Sequence, residues 1–141
     1  MRQEQWFEKY LGIPFKPGGR DFEGCDCGGL LLLALKIEKG IEALDFNQRE
    51  FKLRDVVRSE GREKLTDMIS SRLEEWKQCN DNDIRPLDVA LYSWRGATCH
   101  CAMVITPEKV MHIETGHHAH LEPLRLKGYT LEGVYRHEKL C

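Results

Sequence analysis

No stretch of this 141-residue chain is apolar for long enough to span a bilayer: the longest such run ends at Lys36, far short of the ~18 residues a membrane helix needs. Charge of one sign is also missing. Lys and Arg number 21 against 23 Asp and Glu, a formal net charge of -2, and no basic stripe is interleaved with aromatics, so the sequence predicts no nucleic-acid partner and no membrane association. The first ten residues carry Arg2, Glu4, Glu8 and Lys9 and lack the apolar core of a secretory signal, which predicts synthesis and folding in the cytoplasm. There the six cysteines, at 25, 27, 79, 99, 101 and 141, stay reduced and read as core, metal-binding or catalytic groups rather than as a disulfide framework. Repeats, low-complexity tracts and linker-like segments are lacking too. With 41% hydrophobic residues, the chain is expected to form one domain over residues 1–141 around one core.

What is present falls into helices first and strands second. Trp6, Phe7 and Tyr10 recur at helical spacing and predict a short helix over Glu4 to Leu11, followed by a turn-rich connection through Pro14, Pro17, Gly18 and Gly19. A mostly apolar helix is expected from about Cys27 to Glu38, stopped by Gly40. Leu65, Met68, Ile69, Leu73 and Trp76 share one face of an expected amphipathic helix over Glu63 to Cys79. Beyond the Asn80 to Asp83 loop the pattern turns to strands: Val89 to Trp94, Cys99 to Thr106, Lys109 to Glu114 and Leu131 to His137. This order predicts an α+β domain in which a helical layer packs on a small antiparallel sheet or half-barrel.

Cys27 lies in Gly24-Cys25-Asp26-Cys27-Gly28-Gly29, where the buried helix should begin. Asp26 is suited to cap that helix by accepting from the amides of Gly28 and Gly29, and the N-H groups of a first helical turn favour a thiolate over a thiol. Glycine is a poor helix former, by about 1 kcal/mol relative to Ala, so Gly28 and Gly29 read as clearance for a substrate backbone. A nucleophilic cysteine needs a base within hydrogen-bond reach and a third group to orient that base. His100 and His112 are the candidates. Alternation along Cys99 to Ile105 places Cys99, Cys101, Met103 and Ile105 on one face and His100, Ala102 and Val104 on the other, the face expected to look toward the helix. A plain two-residue hairpin pairing Thr106 with Lys109 would send His112 to the opposite face from His100, so an odd-length loop or a bulge is predicted.

Zinc is the rival reading for Cys25-Asp26-Cys27, Cys99-His100-Cys101 and His117-His118-Ala119-His120. Neither cysteine pair has the two-to-four-residue separation usual in structural zinc sites, and no metal or other cofactor is expected. Thr115 to His120 reads instead as a polar loop near the mouth of the site, with His117, His118 or His120 placed to touch substrate. Cys25 reads as loop packing, and Arg20 with Asp21 as a local pair bracing the loop ahead of Cys27.

The run Gly12-Ile13-Pro14-Phe15-Lys16-Pro17-Gly18-Gly19-Arg20-Asp21-Phe22-Glu23-Gly24-Cys25-Asp26-Cys27-Gly28-Gly29-Leu30 resembles the nucleophile region of the NlpC family of papain-like cell-wall cysteine peptidases, above all the subgroup of tailed bacteriophages and prophages, where Gly-Arg-Asp precedes Asp-Cys. Arg85 to Tyr92 is similar to the strand ahead of the family's catalytic His. His100 to Ile105 followed by Met111-His112-Ile113 is similar to its His strand and second polar residue, and Leu131 to Arg136 to its closing strand. The resemblance covers about residues 6 to 137 except for Ile41 to Ile84. It implies a papain-like fold with Cys27 as nucleophile and one backbone oxyanion donor, His100 as general base and His112 as the residue that orients it. The family usually has a Tyr near position 15, where this chain has Phe15; Tyr10 and Tyr92 are the candidate replacements.

By the same resemblance, the expected activity is hydrolysis of amide bonds in peptidoglycan stem peptides. The partners are then a peptidoglycan peptide and phage tail proteins, and a place in a virion tail would carry the protein to the wall without secretion. Two alternatives stay open: a thiol-dependent amidase or acyltransferase acting on a small substrate, and a non-catalytic tail assembly component.

Overall fold

A computed structural model describes residues 5–43 and 73–141. Among these, one α-helix and eight strands form, six of the strands in a single antiparallel sheet. The first two strands, β1 (Arg20–Asp21) and β2 (Gly24–Cys25), make a small hairpin immediately before helix α1 (Cys27–Lys39). The sheet follows: β3 (Trp76–Gln78), β4 (Val89–Trp94), β5 (Ala97–Thr106), β6 (Lys109–His112), β7 (His120–Pro123) and β8 (Thr130–His137), in the spatial order β3-β8-β4-β5-β6-β7.

Local chemistry sets both ends of α1. Asp26 is extended (φ -92°, ψ -176°) and its carboxylate accepts from the Gly29 amide at 2.8 Å, satisfying one of the first-turn donors. Gly40 takes the left-handed conformation (φ 66°), and its N-H closes the last turn on the Leu35 and Lys36 carbonyls. Lys36 and Lys39 lie in that last turn, where the helix dipole favours cations. Leu30, Leu31, Ala34 and Leu35 are buried and share one apolar cluster with Val89, Leu91, Cys101, Met103, Ile105 and Met111 of the sheet. A second cluster, with Ala90, Tyr92, Ala102, Val104, Val110 and Val134, covers the other sheet face.

Two hairpins fix the register around β5. The β4–β5 turn is made by Arg95 and Gly96, both at positive φ (51° and 80°), the backbone twist that two-residue hairpins prefer. The β5–β6 turn pairs Thr106 with Lys109, but the ladder then resumes as Val104 with Val110 and Met103 with Met111, so Ile105 is an extra, bulged residue. That bulge keeps His100 and His112 on one face. A second bulge falls at Cys99, between the pairs Tyr92–His100 and Ser93–Thr98.

Several expectations are corrected. Of the helix expected over Glu4 to Leu11, Glu4 lies outside the described residues, and the rest holds only a 3-10 turn at Glu8–Tyr10 with no side-chain cap, where Trp6, Phe7 and Tyr10 pack edge to face. So short a helix has too few hydrogen bonds to offset the cost of nucleation. Of the expected Glu63 to Cys79 helix, residues 63–72 lie outside the described residues; its end is instead a 3-10 turn at Leu73–Glu75 running into β3, which pairs with β8. Burial of Trp76 and pairing with the β8 backbone outweigh the helical spacing. The expected polar loop ending at His120 leads directly into β7, a short edge strand whose polar residues give no alternation to read.

One buried ion pair ties the sheet together. Arg136 of β8 meets Asp88 through two hydrogen bonds of 2.9 Å, from Nε and Nη2, and its Nη2 also donates to the Asp83 carbonyl at 2.7 Å. Asp88, fully buried, accepts further from the Arg85 amide at 2.8 Å.

Candidate active site

Cys27 is the first residue of α1 and only partly exposed. Its sulfur meets β5 at Cys101 and His100. Hydrogen bonding from the Cys101 thiol, then the charge and hydrogen bond of His100 and a backbone hydrogen bond from Cys101, hold the Cys27 thiol well below its ordinary pKa against the opposing effect of burial. Cys101 is pushed the other way, chiefly by that same hydrogen bond to Cys27. The arrangement favours one thiolate beside one thiol, with the charge on Cys27.

His100 is buried and its Nε2 lies 2.9 Å from Nδ1 of His112, also buried. Burial, and secondarily the neighbouring His100, lower the His112 pKa to about 4, so this ring is neutral near pH 7. Tyr129 stacks on the His100 ring (centroids 4.9 Å apart, planes 19° apart) and its hydroxyl donates to Glu114 at 3.0 Å. A cysteine sulfur and two imidazoles therefore line up across α1, β5 and β6, an arrangement compatible with activated-cysteine chemistry.

The face assignment needs correcting. Alternation separates His100 from Cys101 and Met103 as expected, but α1 buries its leucines against the Cys101 and Met103 face. His100 points to the face of Tyr92 and Tyr129. An apolar helix seeks the apolar face; Cys27 meets His100 from the end of the helix, beside the bulge at Cys99, a type of irregularity that re-aims side chains.

The loop ahead of Cys27 is braced by a different pair from the one expected. Arg20 Nη1 contacts Asp26 Oδ1 at 2.7 Å, whereas Asp21 is exposed and caps a turn by accepting from the Glu23 amide at 2.9 Å. Asp26 also accepts from the Gly18 amide at 3.1 Å, yet burial raises its pKa. Gly28 and Gly29 are both buried. At Gly29 the clearance serves the chain itself, since a Cβ there would lie 2.0 Å from the Gly19 carbonyl oxygen.

Neither candidate replacement for the missing Tyr offers its hydroxyl to Cys27. Tyr10 donates to Glu38 at 2.6 Å, near the far end of α1, and Tyr92 donates to the Leu124 carbonyl at 2.5 Å. Phe15 is half-buried and pairs with Cys25 through a single bridge. His117 and His118 are exposed: the first lies 6.0 Å from the His120 ring, and the second lends its carbonyl to His120 Nδ1 at 2.7 Å. Cys101, Tyr129 and Glu114 escaped sequence reasoning. Cys101 carried a weak signal, a second cysteine beside His100, but the other two reach the site only through tertiary pairing. A cavity of about 420 Å³, lined by residues including Glu38, Lys39, Leu87 and Arg136, lies at the opposite end of α1 from Cys27.

By sequence, no protein-family model and no curated protein matches the chain. Solved structures do. The chain is similar to the NlpC/p60 domain of the peptidoglycan hydrolase SagA (TM-score 0.58, 16% identity, 89% of this chain and 90% of that one). It is similar also to an NlpC/P60 family protein from Bacillus cereus (TM-score 0.62, 18% identity, 91% of this chain) and to NlpC1 from Trichomonas vaginalis (TM-score 0.65, 15% identity, 94% of this chain). It spans only 36% and 41% of those two longer chains. No described helix is long and apolar enough to cross a membrane. At these identities the likeness speaks for the fold alone, one that the chain shares with NlpC/p60 domains.

Proposed function

We propose that the chain is a cysteine peptidase that hydrolyses amide bonds in peptidoglycan stem peptides. The observation that carries this reading is the contact of the Cys27 sulfur, its pKa lowered, with the His100 imidazole, itself hydrogen-bonded to His112 at 2.9 Å. Cys27 thiolate attacks the amide carbonyl, His100 protonates the leaving amine, and the resulting thioester is hydrolysed by water that His100 deprotonates. His112 orients His100, as the third group of a triad does. The Cys27 backbone N-H, at the start of α1, is the proposed oxyanion donor, and Arg20 and Asp26 hold the loop that presents it.

The substrate class is supported by one structural neighbour, the peptidoglycan hydrolase SagA, and by the Asp26-Cys27-Gly28-Gly29 run with its two histidines. A phage tail origin rests on Gly19-Arg20-Asp21 alone. The test is incubation with purified muropeptides, read by mass spectrometry. Cleaved stem peptides are expected from the wild type, with at least about a 100-fold loss in Cys27→Ala and in His100→Ala. Intact muropeptides with the wild type would contradict the substrate assignment, and equal cleavage by Cys27→Ala would contradict the nucleophile.

A further inference from the structure

We infer that His112, His120 and Glu122 form a binding site for a single divalent transition-metal ion of the zinc type, on the sheet edge behind the proposed catalytic pair. The register of β6 and β7 builds it. His112 pairs directly with His120, and Val110 with Glu122, so all three side chains project from one face of two adjacent strands. One ligand atom from each lies within 4.8 Å of the others. The two rings are 4.7 Å apart between centroids, and His120 Nε2 is 3.3 Å from a Glu122 carboxylate oxygen.

Each histidine already has its other nitrogen occupied. His112 Nδ1 is engaged with His100 and His120 Nδ1 with the His118 carbonyl at 2.7 Å, leaving both Nε2 atoms as the ligating ones. His112 Nδ1-H then donates to His100 Nε2, so metal binding competes with the imidazolium form of His100. A backbone carbonyl on the far nitrogen is the support that metal-bound histidines commonly have. Tetrahedral zinc with ligands at about 2.0–2.1 Å needs donor atoms about 3.3 Å apart. Closing the remaining gap falls to His120 and Glu122, whose side chains are 37% and 44% exposed and belong to an edge strand, while His112 stays buried. Two imidazoles and one carboxylate suit zinc, cobalt or nickel better than calcium or magnesium, and leave a fourth position for water or a ligand carboxylate. Of the Cys and His runs weighed for zinc in the sequence, only His120 belongs to this set; His112 and Glu122 join it through the pairing of β6 with β7.

The site does not depend on Cys27 being a nucleophile. Its test is Co²⁺ titration of the reduced, chelator-treated full chain, followed by visible absorption and calorimetry. One Co²⁺ per chain is expected, with the ligand-field bands of nitrogen and oxygen donors and no thiolate-to-cobalt charge transfer. Affinity should fall at least about tenfold in Glu122→Gln and in His120→Ala. Circular dichroism would show that these partly exposed substitutions leave the fold intact. Absence of binding, a thiolate charge-transfer band, or unchanged affinity in both variants would overturn the assignment.

Discussion

Gly29 shows how closely the loop ahead of Cys27 is pressed onto α1. Because a Cβ would meet a backbone oxygen at 2.0 Å, which no rotamer change can relieve, Gly29→Ala is expected to lower stability by about 3 kcal/mol or more, read from urea denaturation. His112 gives a pH dependence whose sign follows from its burial. Its pKa falls from 6.5 to about 4 in the folded protein, so as pH drops the unfolded chain takes up the proton first. In chelator, stability should therefore be full above about pH 6.5 and decline by about 3 kcal/mol toward pH 4, and His112→Gln should flatten that decline. At this scale the sequence was readable where chemistry is local. Asp26 caps the helix that Cys27 opens, three residues from the amide it accepts from. It was not readable where the partner is distant: Arg20 chooses Asp26 over adjacent Asp21, and Tyr129 stacks on His100 across the sheet.

Among the elements, β4, β5 and β8 were legible because each is either buried or alternating and rich in β-branched, aromatic or apolar residues. The bulge between His100 and His112 was legible as a requirement, since only an extra residue lets a two-residue turn put both rings on one face. Strands β3 and β7, at the two edges, were not: each is three or four residues long and takes its conformation from the neighbour it pairs with. The Arg136–Asp88 pair that secures β8 to the start of β4 carries a prediction at this scale. Asp88→Ala should cost about 3 kcal/mol by removing the buried carboxylate that meets the Arg136 guanidinium at two atoms and leaving only its contacts with Asp83, whereas the double change Asp88→Leu with Arg136→Met should recover most of that loss, as a denaturation-based double-mutant cycle would show.

At the scale of the whole molecule, the site exists only when the N-terminal loop and helix meet the sheet. Cys27 and His100 are 73 residues apart in sequence, and neither perturbs the other in an unfolded chain. Nothing in the sequence ordered Cys101 beside the Cys27 sulfur, because that contact depends on which sheet face the helix buries. The most direct measurement is the rate of iodoacetamide alkylation of each cysteine against pH, followed by mass spectrometry, in native protein and in urea. In the native chain Cys27 should react well below pH 8 and lose that reactivity in His100→Ala, while in urea its profile should return to that of an ordinary thiol near pH 8.5. A Cys27 profile identical in both states, or indifferent to removal of the His100 imidazole, would contradict the account.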